Sequence, residues 1–234
     1  MKRIATALVA LSTVAACADE MPTDVPDAPL AEARTGKAGL AEYEIVVENL
    51  TSGQPFTPPA VAIHRPAISL YEVGEPASEA IKEIAENGNL GPAVAVLDAS
   101  NQVSDFGAAF GSPDLPPLLP GQTTSITLRS ERGAKLVSFA AMLICTNDGF
   151  TGIDDVRLPN DLGESITVYA RAYDAGTEVN TEDFADIVPP CQGLVGVSSD
   201  DPGTGMSNPA LAEGGVITSH PGVVGGDDLV PGIH

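Results

Sequence analysis

Two acidic residues stand four positions apart across a glycine in the segment YARAYDAGTEVN, residues 169–180. Asp174 ends an alternating run of residues, and Glu178 follows the intervening Ala-Gly-Thr. A third acid, Asp148, precedes a glycine in the segment CTNDGFTGIDD, residues 145–155. Calcium takes about six to eight oxygen ligands, from carboxylates, carbonyls and water. The three acids could therefore bind calcium, and the alternative is a pair of Asx-Gly turns with solvated acids.

A calcium site requires that these acids meet at one end of the fold. Residues 134–145, AKLVSFAAMLIC, form the most hydrophobic run and predict a central strand shortly before Asp148. Residues 164–174, ESITVYARAYD, alternate in polarity and predict a strand that ends at Asp174. If the two strands are neighbours, Asp148 lies near Asp174 and Glu178, and the glycine in each segment permits a tight backbone. The chain has no EF-hand pattern, so the site would be of a different kind.

Further strand patterns recur between turn signals. Four segments predict strands: residues 42–50, 58–64, 93–98 and 123–130. Residues 77–89 break the pattern and predict one short helix, with Ser78 as its N-cap and an Asn-Gly stop signal. Many strands with one helix are typical of an all-β fold, here an antiparallel β-sandwich.

The charge balance narrows the classes of partner. The chain has 234 residues, with 32 acidic and 11 basic side chains and a formal net charge of −21. Such a charge argues against nucleic-acid binding, which needs a basic face, and against electrostatic docking on anionic lipid. The excess acid either forms a solvated surface that keeps the protein soluble, or part of it binds a divalent cation.

The N-terminus has the features of a secretory signal. Residues 1–16 combine a basic start, an apolar run too short to span a membrane, and small residues before Cys17. The ending Val-Ala-Ala-Cys resembles a bacterial lipobox, in which Cys17 is lipidated and becomes the mature N-terminus. The alternative is an ordinary signal peptide with a coincidental cysteine. Ala18 stands where an inner-membrane retention signal would have Asp, which favours the outer membrane of the cell envelope, on its periplasmic or surface face.

The composition after Cys17 predicts the domain organisation. Residues 17–40 are rich in Pro, Ala and acids and are expected to be a flexible tether. Residues 41–222 are expected to form the sandwich domain, with a possible last strand within 214–222. Residues 223–234 are expected to form a C-terminal tail.

Cys145 and Cys191 are the two remaining cysteines. In an oxidising compartment they suggest a disulfide, and two unpaired buried thiols are the alternative. A metal site made of both is not expected, because no histidine is near either one in the sequence.

Several of these segments resemble the spondin N-terminal domain. Residues 144–158, ICTNDGFTGIDDVRL, are followed by residues 173–180, YDAGTEVN. Animal spondins carry Asp-Trp-x-x-Gly at the first place and Trp-Asp-Ala-Gly-Thr-Asp at the second. Upstream, YEIVVENLTSGQPFTPPAVAIHRP and YEVGEPASEAIKEIAENGN are similar to bacterial members. The resemblance covers about residues 42–222, and the DAGT-acid element is its most specific part.

The resemblance implies a fold and a metal. Spondin N-terminal domains are antiparallel β-sandwiches similar to C2 domains, with one calcium ion held by three acidic side chains. Carried over by matching motif, these are Asp148, Asp174 and Glu178. Gly149 and Tyr173 stand where animal spondins have Trp, and Glu178 replaces Asp, so an aromatic contact could be altered.

Three functional classes follow from the sequence. The leading hypothesis is a calcium-binding, lipid-anchored envelope protein with a binding or adhesion role toward a protein or glycan ligand. A metal-free structural envelope lipoprotein is the second. A secreted hydrolase is the third, but His64, His220 and His234 stand in unrelated contexts and no Gly-x-Ser-x-Gly or His-Glu-x-x-His motif occurs. We therefore expect a protein that is not an enzyme and does not bind nucleic acid.

Overall fold

A computed structural model of the chain describes residues 31–35, 40–109, 117–161, 163–197 and 201–234. The predicted signal peptide, residues 1–16, and the lipidation site, Cys17, lie outside the described residues. Within the described ranges, no helix has the length and apolar character needed to span a bilayer.

Two antiparallel sheets form the body of the protein. The smaller sheet contains β1 (Ala31–Thr35), β2 (Ala41–Glu48) and β5 (Thr123–Ser130), in the order β1-β2-β5. The larger sheet contains β3 (Ala60–His64), β4 (Val103–Ala108), β6 (Leu136–Met142), β7 (Gly149–Arg157), β8 (Arg171–Asp174) and β9 (Thr218–Ser219), in the order β4-β3-β6-β7-β8-β9. All these strand pairs are antiparallel, so the predicted all-β, antiparallel sandwich is confirmed.

The larger sheet is covered on both faces. One face joins the smaller sheet in a core that includes Ile45, Val61 and Phe139. The other face packs against helices through Ala60 and Ile84. Burial on both faces explains why β3 and β6 are almost continuously apolar rather than alternating.

Three short helices are present in the described residues, where the sequence predicted one. The predicted helix is α1 (Glu79–Asn87), whose N-cap Ser78 accepts a hydrogen bond from the backbone N–H of Ile81. The predicted strand at residues 93–98 is wrong, because this segment lies in α2 (Gly91–Ala99). Its apolar run is compatible with either structure, and a Pro in the first turn favours the helix. The third helix, α3 (Pro190–Val195), follows a single 3-10 turn (Phe184–Asp186).

Three other boundaries differ from the predictions. Residues 31–35 of the predicted tether form β1, which pairs with β2. The strand predicted over 164–174 is limited to β8, because residues 164–170 have no ladder partner in the described part of the chain. The predicted tail packs against the body, with Leu229 and His234 buried.

Cys145 and Cys191 form the disulfide that the sequence suggested. The bridge lies in a small apolar cluster with Ile144, Phe184 and Leu229. It closes a loop with a sequence separation of 46 residues. Such a loop contributes about 4 kcal/mol in the chain-entropy account of cross-linking. The bridge therefore fixes the β6–β7 turn to the segment that follows β8.

Candidate metal site

The pairing of β7 with β8 brings two of the predicted acids to one end of the larger sheet. Gly149, the first residue of β7, is paired with Asp174, the last residue of β8. Asp148 therefore lies beside the exit of β8, and its carbonyl accepts a hydrogen bond from Ala175 N–H at 3.1 Å. The neighbour of β8 is β7 rather than the central strand β6, because residues after Asp148 form a strand and not a loop. We call Asp148, Asp174 and Glu178 the acidic cluster.

Asp148 is completely buried, with 0% of its surface exposed. Its Oδ2 accepts hydrogen bonds from Thr177 N–H at 2.7 Å, Glu178 N–H at 3.0 Å and Thr177 Oγ1 at 3.2 Å. Its Oδ1 is also buried and has no hydrogen-bond partner in the described part of the chain. Burial, with a smaller effect from the negative charge of Asp174, raises the pKa of Asp148 to about 6 against the lowering effect of the donors. One carboxylate oxygen of Asp148 is thus saturated and the other lacks a partner.

Asp174 shapes the turn that carries Glu178. Its Oδ1 accepts a hydrogen bond from Gly176 N–H at 2.7 Å, and its Oδ2 accepts one from Asn180 Nδ2 at 2.5 Å. Gly176 has a φ of +68°, and a Cβ there would lie 2.6 Å from the backbone N of Val216. The glycine between the two acids is therefore required by both backbone conformation and space.

Glu178 is 3% exposed and lies against a later loop. Its Oε1 accepts a hydrogen bond from Asn208 N–H at 2.5 Å. Burial raises the pKa of Glu178 to about 7, and the negative charges of Glu86, Asp148 and Asp186 act in the same direction. The carboxylates of Glu178 and Asp148 are thus close enough to repel each other.

The acidic cluster has the chemistry of a calcium site but not a closed cage of ligands. Among the described residues, two groups of three side chains have ligand atoms all within 4.8 Å of one another, and the acidic cluster is not one of them. Asp148 Oδ2 and both oxygens of Asp174 are directed at N–H groups instead. The feature that fits an ion is the buried, unpartnered Oδ1 of Asp148, together with a donor set made only of oxygen.

Neither of the two compact groups contains a buried carboxylate oxygen that lacks a partner among the described residues. In the group of His64, Asp154 and Asp155, both ring nitrogens of His64 are engaged, Nδ1 with Arg65 O at 3.0 Å and Nε2 with Ser138 Oγ at 2.8 Å. The other group consists of Asp183, Asp201 and Asp228. Asp183 accepts from Ala185 N–H, and Asp228 accepts from Phe184 N–H.

An aromatic group lies next to the acidic cluster. Tyr173 packs against Tyr71 and Phe150 with ring centroids 5.2 and 5.3 Å apart, and Tyr71 and Phe150 are 5.1 Å apart. Tyr173, which replaces the Trp of animal spondins, therefore still makes aromatic contacts beside Asp174.

Sequence reasoning missed one acid near the cluster. Glu86, in α1, is only 4% exposed, and neither of its carboxylate oxygens has a hydrogen-bond partner in the described structure. The apolar positions of α1 include Ile81, Ile84 and Ala85, and helical periodicity places Glu86 away from that face. No signal in the local sequence indicates its burial.

The fold and the cluster define an antiparallel β-sandwich with acidic loops at one end of its larger sheet. The family model described as Spondin_N matches residues 50–184, more than half of the chain. The chain therefore belongs to the spondin N-terminal domain family, as its resemblance to spondin motifs predicted. This family is not a known enzyme class. Among curated proteins, none matches this chain.

Proposed function

We propose that this chain is a calcium-binding, lipid-anchored protein of the bacterial cell envelope whose spondin-type sandwich is a binding or adhesion module. The observation that carries the calcium part is Asp148, a fully buried carboxylate whose Oδ1 has no partner. Its neighbours Asp174 and Glu178 are also buried acids. None of the three forms a salt bridge within the described ranges. A buried carboxylate without a counter-charge is costly, and a divalent cation would remove that cost.

Each residue of the acidic cluster would have a distinct part in holding the ion. Asp148 would supply its free Oδ1, while the three donors on Oδ2 fix the orientation of the carboxylate. Glu178, on the loop that Asp148 binds, would supply a second carboxylate. Asp174 would supply a third and sets the turn through its contact with Gly176. Bound calcium supplies positive charge and links the β6–β7 turn to the loop after β8.

Calorimetric titration of the purified full-length protein with calcium tests this part. We expect one binding event in the wild type and in the control Asp98→Asn, an exposed acid of α2. We expect at least a ten-fold loss of affinity in Asp148→Asn, and likewise in Asp174→Ala. Absence of binding heat, with no change in melting temperature on adding chelator, would exclude calcium binding.

The envelope part of the proposal rests on residues 1–17. Cys17 would carry the lipid, and Ala18 after it favours the outer membrane. Mass spectrometry of the mature protein from membranes should give an N-terminus that begins at lipid-modified Cys17. A Cys17→Ser variant should be recovered without lipid. A mature N-terminus at any other residue would contradict the anchor.

The binding part has one surface to support it. A groove of about 360 Å³ lies on β7 and β8 and is lined by residues that include Tyr71, Asp154, Tyr169, Arg171 and Tyr173. Aromatic faces beside charged groups are suited to a protein or glycan ligand. Pull-down from envelope extracts, with calcium or chelator and with Asp148→Asn beside Asp98→Asn, tests the role. A ligand retained by Asp98→Asn only with calcium supports it, and equal retention by all samples contradicts calcium-dependent binding.

A metal-free structural role is the second candidate, and one observation favours it. Asp148 Oδ2 and both oxygens of Asp174 already accept hydrogen bonds, so these acids stabilise their loops without an ion. That role predicts the same melting temperature in calcium and in chelator. We do not propose an enzymatic activity.

A further inference from the structure

The C-terminal end of α1 reaches the loop that covers Glu178. Asn87 donates a hydrogen bond from Nδ2 to Ser207 Oγ at 3.0 Å. The next loop residue, Asn208, donates its N–H to Glu178 Oε1 at 2.5 Å. Asn87, the last residue of α1, therefore contacts the same loop that binds the acidic cluster.

Glu86 is an unusual residue at this junction. Only 4% of its surface is exposed, and both Oε1 and Oε2 lack hydrogen-bond partners among the described residues. Helix α1 packs on β6 and β7, whose connecting turn carries Asp148. Glu86 therefore lies in a helix that packs beside the turn of Asp148, one residue before Asn87, which contacts the loop that binds Glu178.

Among the described residues, no cationic side chain forms an ion pair with Glu86. A buried carboxylate with neither donors nor a counter-ion is strongly destabilising. With Asp148 Oδ1, three buried carboxylate oxygens of the described residues lack hydrogen-bond partners, and all three are acceptors. A cation satisfies acceptors of this kind. Because Glu86, Asp148 and Glu178 are not among the groups of described residues whose ligand atoms all lie within 4.8 Å of one another, their side chains would have to close on a shared ion.

We propose that Glu86 is a fourth acidic ligand of the cation site, supplied by helix α1. The inference rests on the proposed calcium function and extends the site from two strand-end loops to the helical layer. Calcium would then connect α1, the β6–β7 turn, the loop after β8 and the loop at residues 204–212. Binding would stabilise the packing of α1 on the larger sheet as well as the two loops.

The test compares Glu86→Gln with Glu79→Gln, a matched change at an exposed position of the same helix. Calcium affinity is measured by calorimetry, and melting temperature is measured in calcium and in chelator, on the full-length protein. We expect Glu86→Gln to bind calcium about ten- to hundred-fold more weakly, as for other substitutions around metal sites. In chelator we expect the variant to melt above the wild type, because it lacks a buried unpaired charge. Glu79→Gln should match the wild type in calcium affinity, and any loss of melting temperature from its place in the first turn of α1 should be equal in calcium and in chelator.

The outcomes separate the inference from the proposed function. Calcium binding by the wild type with unchanged affinity in Glu86→Gln overturns the ligand role of Glu86 alone. An equal loss of melting temperature in calcium and in chelator also overturns it, since that is the behaviour of a packing residue. Absence of binding in the wild type overturns the calcium function and the inference together.

A second variant covers the case in which Glu86→Gln does not fold. Glu86→Asp keeps the charge on a shorter side chain, and circular dichroism verifies its fold. We expect its calcium affinity to fall below that of the wild type, with a melting temperature in chelator that does not exceed the wild-type value. An unchanged affinity in folded Glu86→Asp would overturn the inference.

Discussion

Two kinds of buried carboxylate can be compared in this protein, Glu182 on one side and Asp148 with Glu178 on the other. Glu182 accepts three backbone hydrogen bonds from the C-terminal segment, at 2.6 Å from Val224, 2.7 Å from Gly225 and 2.8 Å from Gly226. Asp148 and Glu178 in the acidic cluster are buried too, but their donors reach only part of each carboxylate or are opposed by like charges. The two kinds differ in how the donors cover the carboxylate, because both oxygens of Glu182 accept hydrogen bonds whereas all three donors to Asp148 reach Oδ2. They also differ in burial, since Asp148 is 0% exposed and Glu182 is 8% exposed.

The pKa directions express the same difference. Burial alone would raise the pKa of Glu182, but the three donors and His220 outweigh it, and the pKa is lowered. For Asp148 and Glu178 burial prevails, and their pKa values are raised to about 6 and about 7. A carboxylate whose charge is stabilised by donors needs no ion, whereas one whose charge is not stabilised favours a proton or a cation. Glu182 therefore serves to hold the C-terminal segment in place, and the acidic cluster is a candidate binding site.

The largest expected difference between Glu182 and the acidic cluster is in the stability that calcium adds to variants of each. At free calcium about 1,000 times the dissociation constant, the wild type should gain about 4 kcal/mol in unfolding free energy over the chelated protein. Glu182→Gln should gain the same amount, because its carboxylate is not in the site. Asp148→Asn, with an affinity lowered at least ten-fold, should gain about 2.7 kcal/mol or less at that concentration. Denaturant unfolding in calcium and in chelator measures all three, and an equal gain in Asp148→Asn would contradict the distinction.

Substitution of Glu182 should produce the second largest change in unfolding free energy. Glu182→Gln exchanges one charged acceptor oxygen for an amide, so hydrogen bonds from Val224 or from the two glycines are lost. We expect a loss of about 2–3 kcal/mol, typical for hydrogen bonds to a charged group. The loss should be equal in calcium and in chelator, as measured by denaturant unfolding. Glu164→Gln, at an exposed position, is the control and should be neutral.

The sequence allowed half of this comparison to be predicted. The acids Asp148, Asp174 and Glu178 could be placed together, and calcium suggested as their ligand, because alternation and turn signals locate strand ends. The spondin resemblance then implied the same three acids and one calcium ion. The role of Glu182 could not be predicted, since its donors come from residues 224–226, far away in the sequence. The burial of Glu86 could not be predicted either, because it lies away from the apolar face of α1.

The errors in the fold have the same origin. Helix α2 was predicted as a strand because its short apolar run has no decisive period, and its hydrophobic residues do not even share one buried face: Val94 and Val96 are exposed. The central strand β6 was predicted correctly because its length and continuous hydrophobicity leave fewer alternatives. Local patterns thus fixed the strands of the core better than the segments that cover the site.

The pH dependence of the ion-free protein should have opposite signs in the two regions. Asp148 and Glu178 have folded pKa values above the value of about 4 expected in the unfolded chain. The folded state then binds more protons, so their contribution to stability is complete below pH 4 and is lost as pH rises through about 6 and 7. Glu182 has a lowered pKa, so its contribution is present at neutral pH and is lost on acidification.

Melting curves in chelator should therefore show that stability rises as the pH is lowered from 7.5 to about 5.5. In this range the acidic cluster titrates and Glu182 does not. The rise should be smaller in Asp148→Asn and unchanged in Glu182→Gln. In saturating calcium the trend should reverse, because protons compete with the ion for the same oxygens. The same slope with and without calcium would show that the cluster does not exchange protons for an ion.

The smallest expected effect concerns the length of one side chain in the cluster. Glu178→Asp shortens the acid by one methylene and restores the residue that animal spondins have at the matching place. The shorter side chain should lose its contact with Asn208 N–H, now 2.5 Å long, while keeping the negative charge. We expect calcium affinity to change by less than about ten-fold, or about 1.4 kcal/mol, and stability in chelator to fall slightly. Glu178→Gln, which keeps the length and removes the charge, should lose more affinity than Glu178→Asp. If calorimetry instead gave Glu178→Asp the lower calcium affinity, Glu178 would act through its contact with the 204–212 loop, as Glu182 acts on the C-terminal segment. The charge that attracts the ion would then come from the other acids of the cluster.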